Sequence, residues 1–279
     1  MKALGRLGLV EVVEQFVLGK HADPSLCEDA VVVTEEYAAV IDGATDVSGR
    51  LYGSMTGGRW AMTACSDAIR TLPARADAHT AVEALAQELA RRIDPATPAA
   101  DRPSAAITVY SATRRQVWQV GDVGFRYAGL PLRAGQPRKR IDEIAASFRA
   151  AILAAEAAAG NICMTAMDEV DPGRAGARAL VARQGALRNT TGPYGYAGID
   201  GRDVPRALVA VWQIPDDVTE LAIASDGYPV IGTTLAESES TLARLLDLDP
   251  WCVDELAGTK GVMAGQVSFD DRAYLRLLI

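Results

Sequence analysis

Apolar residues along this chain fall into short strand-length runs, separated by longer segments with helical spacing. Residues 7–17 read as a strand, and 30–34 (AVVVT) and 37–41 (YAAVI) as a strand pair joined by the polar link Glu35-Glu36. Over 54–72, Met55, Ala61, Met62, Cys65, Ile69 and Leu72 recur at three- and four-residue steps, which predicts a helix that Pro73 ends. A second amphipathic helix is predicted over 78–93. Val82, Leu85, Leu89 and Ile93 form its apolar stripe, Thr80 and Glu83 fit a capping box, and Arg91 and Arg92 suit its C-terminal dipole. Beyond a linker-like stretch at 94–103, strands are expected at 104–112, 116–122 and 123–129. An Ala-rich helix over 139–159 should turn Ile141, Ile144, Phe148, Ile152 and Leu153 to the core. The segment 185–205 reads as loop, 207–214 and 219–227 as strands, 233–258 as two helical pieces broken near Pro250, and 273–279 as the last strand.

These strands come in antiparallel-looking pairs with helices between groups, not in regular βαβ alternation. The expected class is α+β: two antiparallel β-sheets packed as a sandwich, with helices on both outer faces. No internal repeat or clean boundary divides residues 1–279, which read as a single domain. A chain of 279 residues with 49% apolar and 23% charged residues is globular, and its net charge of −8 argues against nucleic acid or an anionic membrane surface as partner. The four cysteines form no C-x-x-C pair, so zinc ribbons and thioredoxin-type motifs are excluded, and their long spacings suit reduced thiols in a cytoplasm. Two histidines, His21 and His79, cannot build a histidine-rich metal site, and H-E-x-x-H is absent. The N-terminal apolar run is interrupted by Glu11 and Glu14, so neither a signal peptide nor a membrane span is expected there.

One pattern carries chemistry. The run YAAVIDG delivers Asp42 and Gly43 at the end of a core strand, and carboxylates recur at other strand ends: Asp122 in WQVGDVG, Asp226 in LAIASDG, Glu28 and Asp29 in CEDAVVV, Asp270 and Asp271 in SFDDRAYLRLLI. Asp-Gly alone is a common turn. Five such sites on neighbouring strands would meet at one edge of the sandwich, where clustered carboxylates repel and a hard divalent cation relieves the repulsion. All-oxygen donors select Mg²⁺ or Mn²⁺ over zinc.

In this order, CEDAVVV, VIDGATD, QVGDVGF, IASDGY and FDDRAYLRLLI resemble the motifs of the PP2C-type metal-dependent serine/threonine protein phosphatases. The resemblance spans the chain from about residue 7 onward, and LRNTTGPYGY is similar to a segment of bacterial members. It implies the two-sheet sandwich covered by helices and a centre with two Mn²⁺ or Mg²⁺ ions, and a third in some members. Asp42 would bridge the ions and the Gly43 carbonyl would bind one. Asp29 would bind metal directly or through water, and Glu28 through water. Asp226 and Asp270 would complete the other ion's shell, Asp122 would serve a weaker site, and Asp271 would support Asp270. Asp42, Asp29 and Asp226 are then the catalytic set. Two cations about 3.5–4 Å apart share a water and lower its pKa, and the hydroxide attacks phosphorus in line with no Cys or Ser nucleophile. The absence of a P-loop or G-x-S-x-G pattern agrees with this.

The chain departs from the family at two positions. Pro24 stands where a phosphate-gripping Arg is usual, and Ala44 where a His follows Asp-Gly. Arg59, His21 and Asn189 are the substrate-binding candidates, with Arg50, Arg126 and Arg188 as further cations and Asp46, Tyr194 and Tyr196 as further lining. The run Arg138-Lys139-Arg140 reads as a solvated helix start. The expected activity is hydrolysis of phosphoserine or phosphothreonine in proteins. The alternatives are a phosphatase of a small phosphorylated metabolite and a phosphatase-like binding module with weak turnover. A haloacid-dehalogenase-type phosphatase would need Asp two residues after Asp42, where Ala44 stands.

Overall fold

The computed structural model describes residues 5–7, 10–45, 49–131, 134–164 and 170–279. In chain order its strands are β1 (Gly5–Leu7), β2 (Val10–Leu18), β3 (Asp29–Val33), β4 (Tyr37–Gly43), β5 (Leu51–Tyr52), β6 (Met55–Thr56), β7 (Ala105–Ser111), β8 (Gln116–Val120), β9 (Gly124–Arg126), β10 (Ala210–Gln213), β11 (Glu220–Ala224) and β12 (Arg272–Leu278). The α-helices are α1 (Gly57–Arg70), α2 (Ala78–Ala90), α3 (Arg140–Ala158), α4 (Pro172–Val181) and α5 (Leu235–Leu248). One five-stranded sheet runs β1-β2-β12-β11-β9 and the other β10-β8-β7-β4-β3, with every pairing antiparallel.

Alternation along each strand explains the layers. In β4, Ala38 and Val40 join Val10 and Val12 of β2, Leu221 and Ile223 of β11 and Ala273, Leu275 and Leu277 of β12 in the core between the sheets. The intervening Tyr37, Ala39 and Ile41 face outward and pack with Ala61, Cys65 and Ile69 of α1 and Val82, Leu85 and Leu89 of α2. On the other sheet, Ala222, Ala224 and Tyr274 pack against Leu242 of α5. The order is α/β/β/α.

Several local expectations are corrected. Residues 54–56 belong to a small β5–β6 hairpin, and α1 begins at Gly57 because Thr56 caps it by accepting from Arg59 N at 3.3 Å. Helix α2 is capped by Asp77, not by the Thr80–Glu83 box: Thr80 N donates to Asp77 Oδ1 at 2.8 Å. In α3, Ile144 and Phe148 are exposed, because the small residues Ala145, Ala146 and the buried Arg149 take the inward face. Only the first of the two helical pieces expected over 233–258 forms, as α5.

Helix α4 buries only the small residues Gly173 and Ala177 and was not anticipated. It is held by close approach. A Cβ on Gly173 would lie 2.6 Å from Arg149 O, and one on Gly176 2.2 Å from Ile152 Cδ1. Asp171 caps α4 by accepting from Arg174 N at 2.7 Å and pairs with the fully buried Arg149 at 2.8 Å. Arg149 also donates to the carbonyls of Trp251, Cys252 and Gly258, so one guanidinium ties α3, α4 and the 250s loop together.

Candidate active site

The alternation that builds the sandwich core also builds the site. Asp42 is two residues past Val40, Asp29 two before Val31, and Asp271 two before Ala273, so each continues an inward-facing series beyond its apolar run. Antiparallel register sets Asp29 directly opposite Asp42. Asp122 follows β8 on a turn where Gly121 adopts φ 90°, and Asp226 follows β11. A cavity of about 850 Å³ opens at this end of the sheets, and Asp42, Gly43, Asp122, Asp226 and Asp270 line it.

These carboxylates differ in their neutralisation. Asp29 is buried, and its Oδ2 has no hydrogen-bond partner among the described residues. Burial, with the charges of Asp270, Asp271 and Asp226, pushes its carboxyl well above the usual range, against a bond with Ser225. Asp42 is raised likewise by burial and by Asp226, Asp29, Asp122 and Asp270. Enclosure and then Asp270 and Asp122 push Asp226 up to about 7, although Lys139 and Lys260 pull the other way. Asp270 is the opposite case. Burial would raise it, yet the ammonium groups of Lys260 and Lys20 hold it down to about 2. Lys260 Nζ lies 2.6 Å from Asp270 Oδ2 and Lys20 Nζ 3.0 Å from Asp270 Oδ1. Lys139 Nζ pairs with Asp122 at 2.7 Å.

Glu28 is buried and satisfied. Its two oxygens accept from Thr45 Oγ1 at 2.7 Å and Thr56 Oγ1 at 2.5 Å, and its backbone carbonyl accepts from Gly43 N at 3.0 Å. Gly43 admits no side chain, since a Cβ would sit 2.3 Å from Gly58 O. Asp271 accepts from the backbone N–H groups of Lys20 (2.7 Å) and Glu28 (3.0 Å), which fixes both segments against β12.

The three substrate-binding candidates are placed elsewhere. Arg59 gives its guanidinium to the carbonyls of Pro24 (3.2 Å) and Cys27 (2.6 Å). His21 bridges to Gln266, with Nε2 3.3 Å from the Gln266 amide nitrogen. Asn189, at φ 60°, holds its own loop through Gly198 and Asp200. None of the three lines the cavity, and Asp46 lies outside the described residues. Ala44 and Tyr196 do line it, together with Arg174 and Arg178 of α4, Arg188, Lys139 and Lys260.

Strand-end carboxylates thus gather at one end of an α/β/β/α sandwich. The sequence matches no family model and no curated protein. Among solved structures the chain is similar to serine/threonine phosphatase Stp1 from Staphylococcus aureus, at 14% identity over 100% of this chain and 99% of that one, with a TM-score of 0.47. It is similar to the Mycobacterium tuberculosis serine/threonine phosphatase PstP/Ppp at 14% identity, 95% and 98% coverage and a TM-score of 0.44. A third is RsbX in complex with magnesium, at 13% identity, 96% and 94% coverage and a TM-score of 0.44.

Among the described residues, no three Asp, Glu, His or Cys side chains are already drawn together around a common point as a coordination sphere. The donor chemistry nonetheless suits a hard cation at one place. Asp29 has an orphaned buried oxygen, Asp42 and Asp226 have no ion pair with a described residue, and the Gly43 carbonyl is nearby. Glu28, Asp122 and Asp270 do not fit it equally, because hydroxyl and ammonium groups already occupy them. The lysines were the functional feature missed from sequence. Their signal was scarcity: the chain has 24 arginines and four lysines, Lys2, Lys20, Lys139 and Lys260.

Proposed function

We propose that this chain is a divalent-cation-dependent phosphomonoester hydrolase that acts in the cytoplasm on phosphoserine or phosphothreonine of proteins. One observation carries the reading: a single cavity is lined both by Asp42, Asp122, Asp226 and Asp270 and by Arg174, Arg178, Arg188 and Lys139. A phosphate dianion is drawn to such walls, and a cation to the acids.

Asp29, Asp42 and Asp226, with the Gly43 carbonyl, would hold Mn²⁺ or Mg²⁺. Such an ion supplies Lewis acidity: it lowers the pKa of a water and neutralises charge on a phosphoryl group. The protein's residues do the rest. Arg174 and Arg178 stand one helical turn apart on α4 and make no ion pair with a described residue, so they are available to orient the phosphate. Arg188 is already paired with Asp200 at 3.3 Å and serves as a fixed positive wall. Lys139, 5.4 Å over the Tyr196 ring, holds Asp122 through an ion pair at 2.7 Å.

Hydrolysis of p-nitrophenyl phosphate with Mn²⁺, Mg²⁺ or EDTA, beside a phosphoserine peptide and a panel of sugar and nucleoside phosphates, tests the proposal. Turnover with the peptide that EDTA abolishes is expected. Full activity in EDTA would overturn the cation dependence, and preference for a sugar or nucleoside phosphate would reassign the substrate to a metabolite.

A further inference from the structure

The three described lysines all stand in the acidic centre, in a chain that uses arginine almost everywhere else. Lys20 and Lys260 divide Asp270 between them, one ammonium on each carboxylate oxygen. Lys20 lies two residues past the end of β2, where the chain leaves the β12 register: His21 bridges to Gln266, and Val267 N donates to the Lys20 carbonyl. Lys20 is then locked in place. Its backbone N–H donates to Asp271 Oδ1 at 2.7 Å, and its Nζ also donates to Thr45 Oγ1 at 3.2 Å and Asp271 Oδ2 at 3.3 Å and lies 3.9 Å from Glu28 Oε2. Lys260 comes from the loop whose Gly258 carbonyl Arg149 holds.

The charges separate into two groups. Asp270, Asp271 and Glu28 carry three negative charges, which the two ammonium groups of Lys20 and Lys260 offset to one. Asp29, Asp42 and Asp226 have no ion pair with a described residue, and one of their oxygens, Asp29 Oδ2, is buried with no hydrogen-bond partner among the described residues. An uncompensated buried carboxylate is costly, whereas one already paired gains little from a second cation and must first release its partner.

We infer that Lys260 and Lys20 occupy Asp270 in place of a divalent cation, so that the chain binds one such ion tightly, on Asp29, Asp42 and Asp226, rather than two. This rests on the divalent-cation reading above. A lysine in that role brings a fixed single charge that chelators cannot remove, and it leaves one end of the cavity permanently formed.

Mn²⁺ alone, titrated into the full chain by calorimetry and followed by electron paramagnetic resonance, tests the inference. The parent should bind one tight ion per chain and give the spectrum of an isolated ion. Lys260→Met should gain a second ion, tightened at least about tenfold over any weak second binding in the parent, and show spin coupling between neighbouring ions. Lys260→Arg keeps the charge and should retain one. A melting curve on each variant confirms that it is folded, and the parent stoichiometry needs no variant. Two tight, coupled ions in the parent, or a single ion persisting in folded Lys260→Met, would overturn the inference while leaving the divalent centre standing. No tight Mn²⁺ in the parent, with Asp42→Asn indistinguishable from it, would overturn both.

Discussion

At Asp42 a strand ends in charge, and that single side chain separates folding from chemistry. It is crowded by Asp226, Asp29, Asp122 and Asp270, so its ionised form strains the cation-free protein. Asp42→Asn removes the charge and keeps the shape. Its kcat/KM is expected to fall by more than about 100-fold, beyond what loss of an outer-shell partner costs, while the melting temperature without added metal stays level or rises. Steady-state kinetics beside a thermal melt decide it; retained turnover would remove Asp42 from the chemistry. The neighbouring Ala44 lines the cavity without a proton-donating group, so a good leaving group such as p-nitrophenolate is expected to be favoured over a serine alkoxide. Ala44→His should narrow the kcat/KM ratio between the two substrates, and an unchanged ratio would show that position 44 does not limit the reaction.

The elements differ in how plainly the sequence announced them. The main strands were legible as short apolar runs bounded by polar turns, and the alternation of faces along them carried Asp29, Asp42 and Asp271 inward. Helix α4 was not, because it is ten residues long, meets α3 through Gly173 and Gly176, and buries only Gly173 and Ala177, so no large apolar side chain marks its inner face. Arg59, His21 and Asn189 were singled out by residue type, and backbone carbonyls or loop partners claim them. A long-range choice of hydrogen-bond partner has no local sequence signature. What α4 contributes can be measured. Arg174→Ala and Arg178→Ala should raise KM for phosphorylated substrates more than they lower kcat, and the reverse pattern would place α4 outside substrate binding. Its anchor, Arg149, is fully buried, and Arg149→Met would strand the Asp171 carboxylate and the carbonyls of Trp251 and Cys252. A loss of about 3–5 kcal/mol by denaturant titration is expected; a loss under about 1 kcal/mol would show that the anchor is dispensable.

For the whole molecule, the acidic end of the sandwich links stability to pH. Asp226 titrates at about 7 in the folded chain, so between the ordinary carboxylate range and pH 7 the folded state keeps a proton that the unfolded chain has released. That contribution is fully present below about pH 4 and is lost as pH rises through 7. Asp270, depressed to about 2, contributes in the opposite sense: its share is present above about pH 4 and is lost as pH falls through 2. The cation-free protein should therefore be destabilised from about pH 5 to pH 8, and Mn²⁺ should raise the melting temperature more at the upper end. An equal Mn²⁺ effect at both ends would contradict this. The scarcity of lysine has a practical corollary. Apart from Lys2, every lysine of the sequence lies beside the acidic cavity, and Lys139 and Lys260 line it. Reductive methylation with isotope-labelled formaldehyde would plant spectroscopic reporters almost nowhere else, so that a crowded 29.5 kDa spectrum reduces to a few resonances that watch the cavity fill and empty.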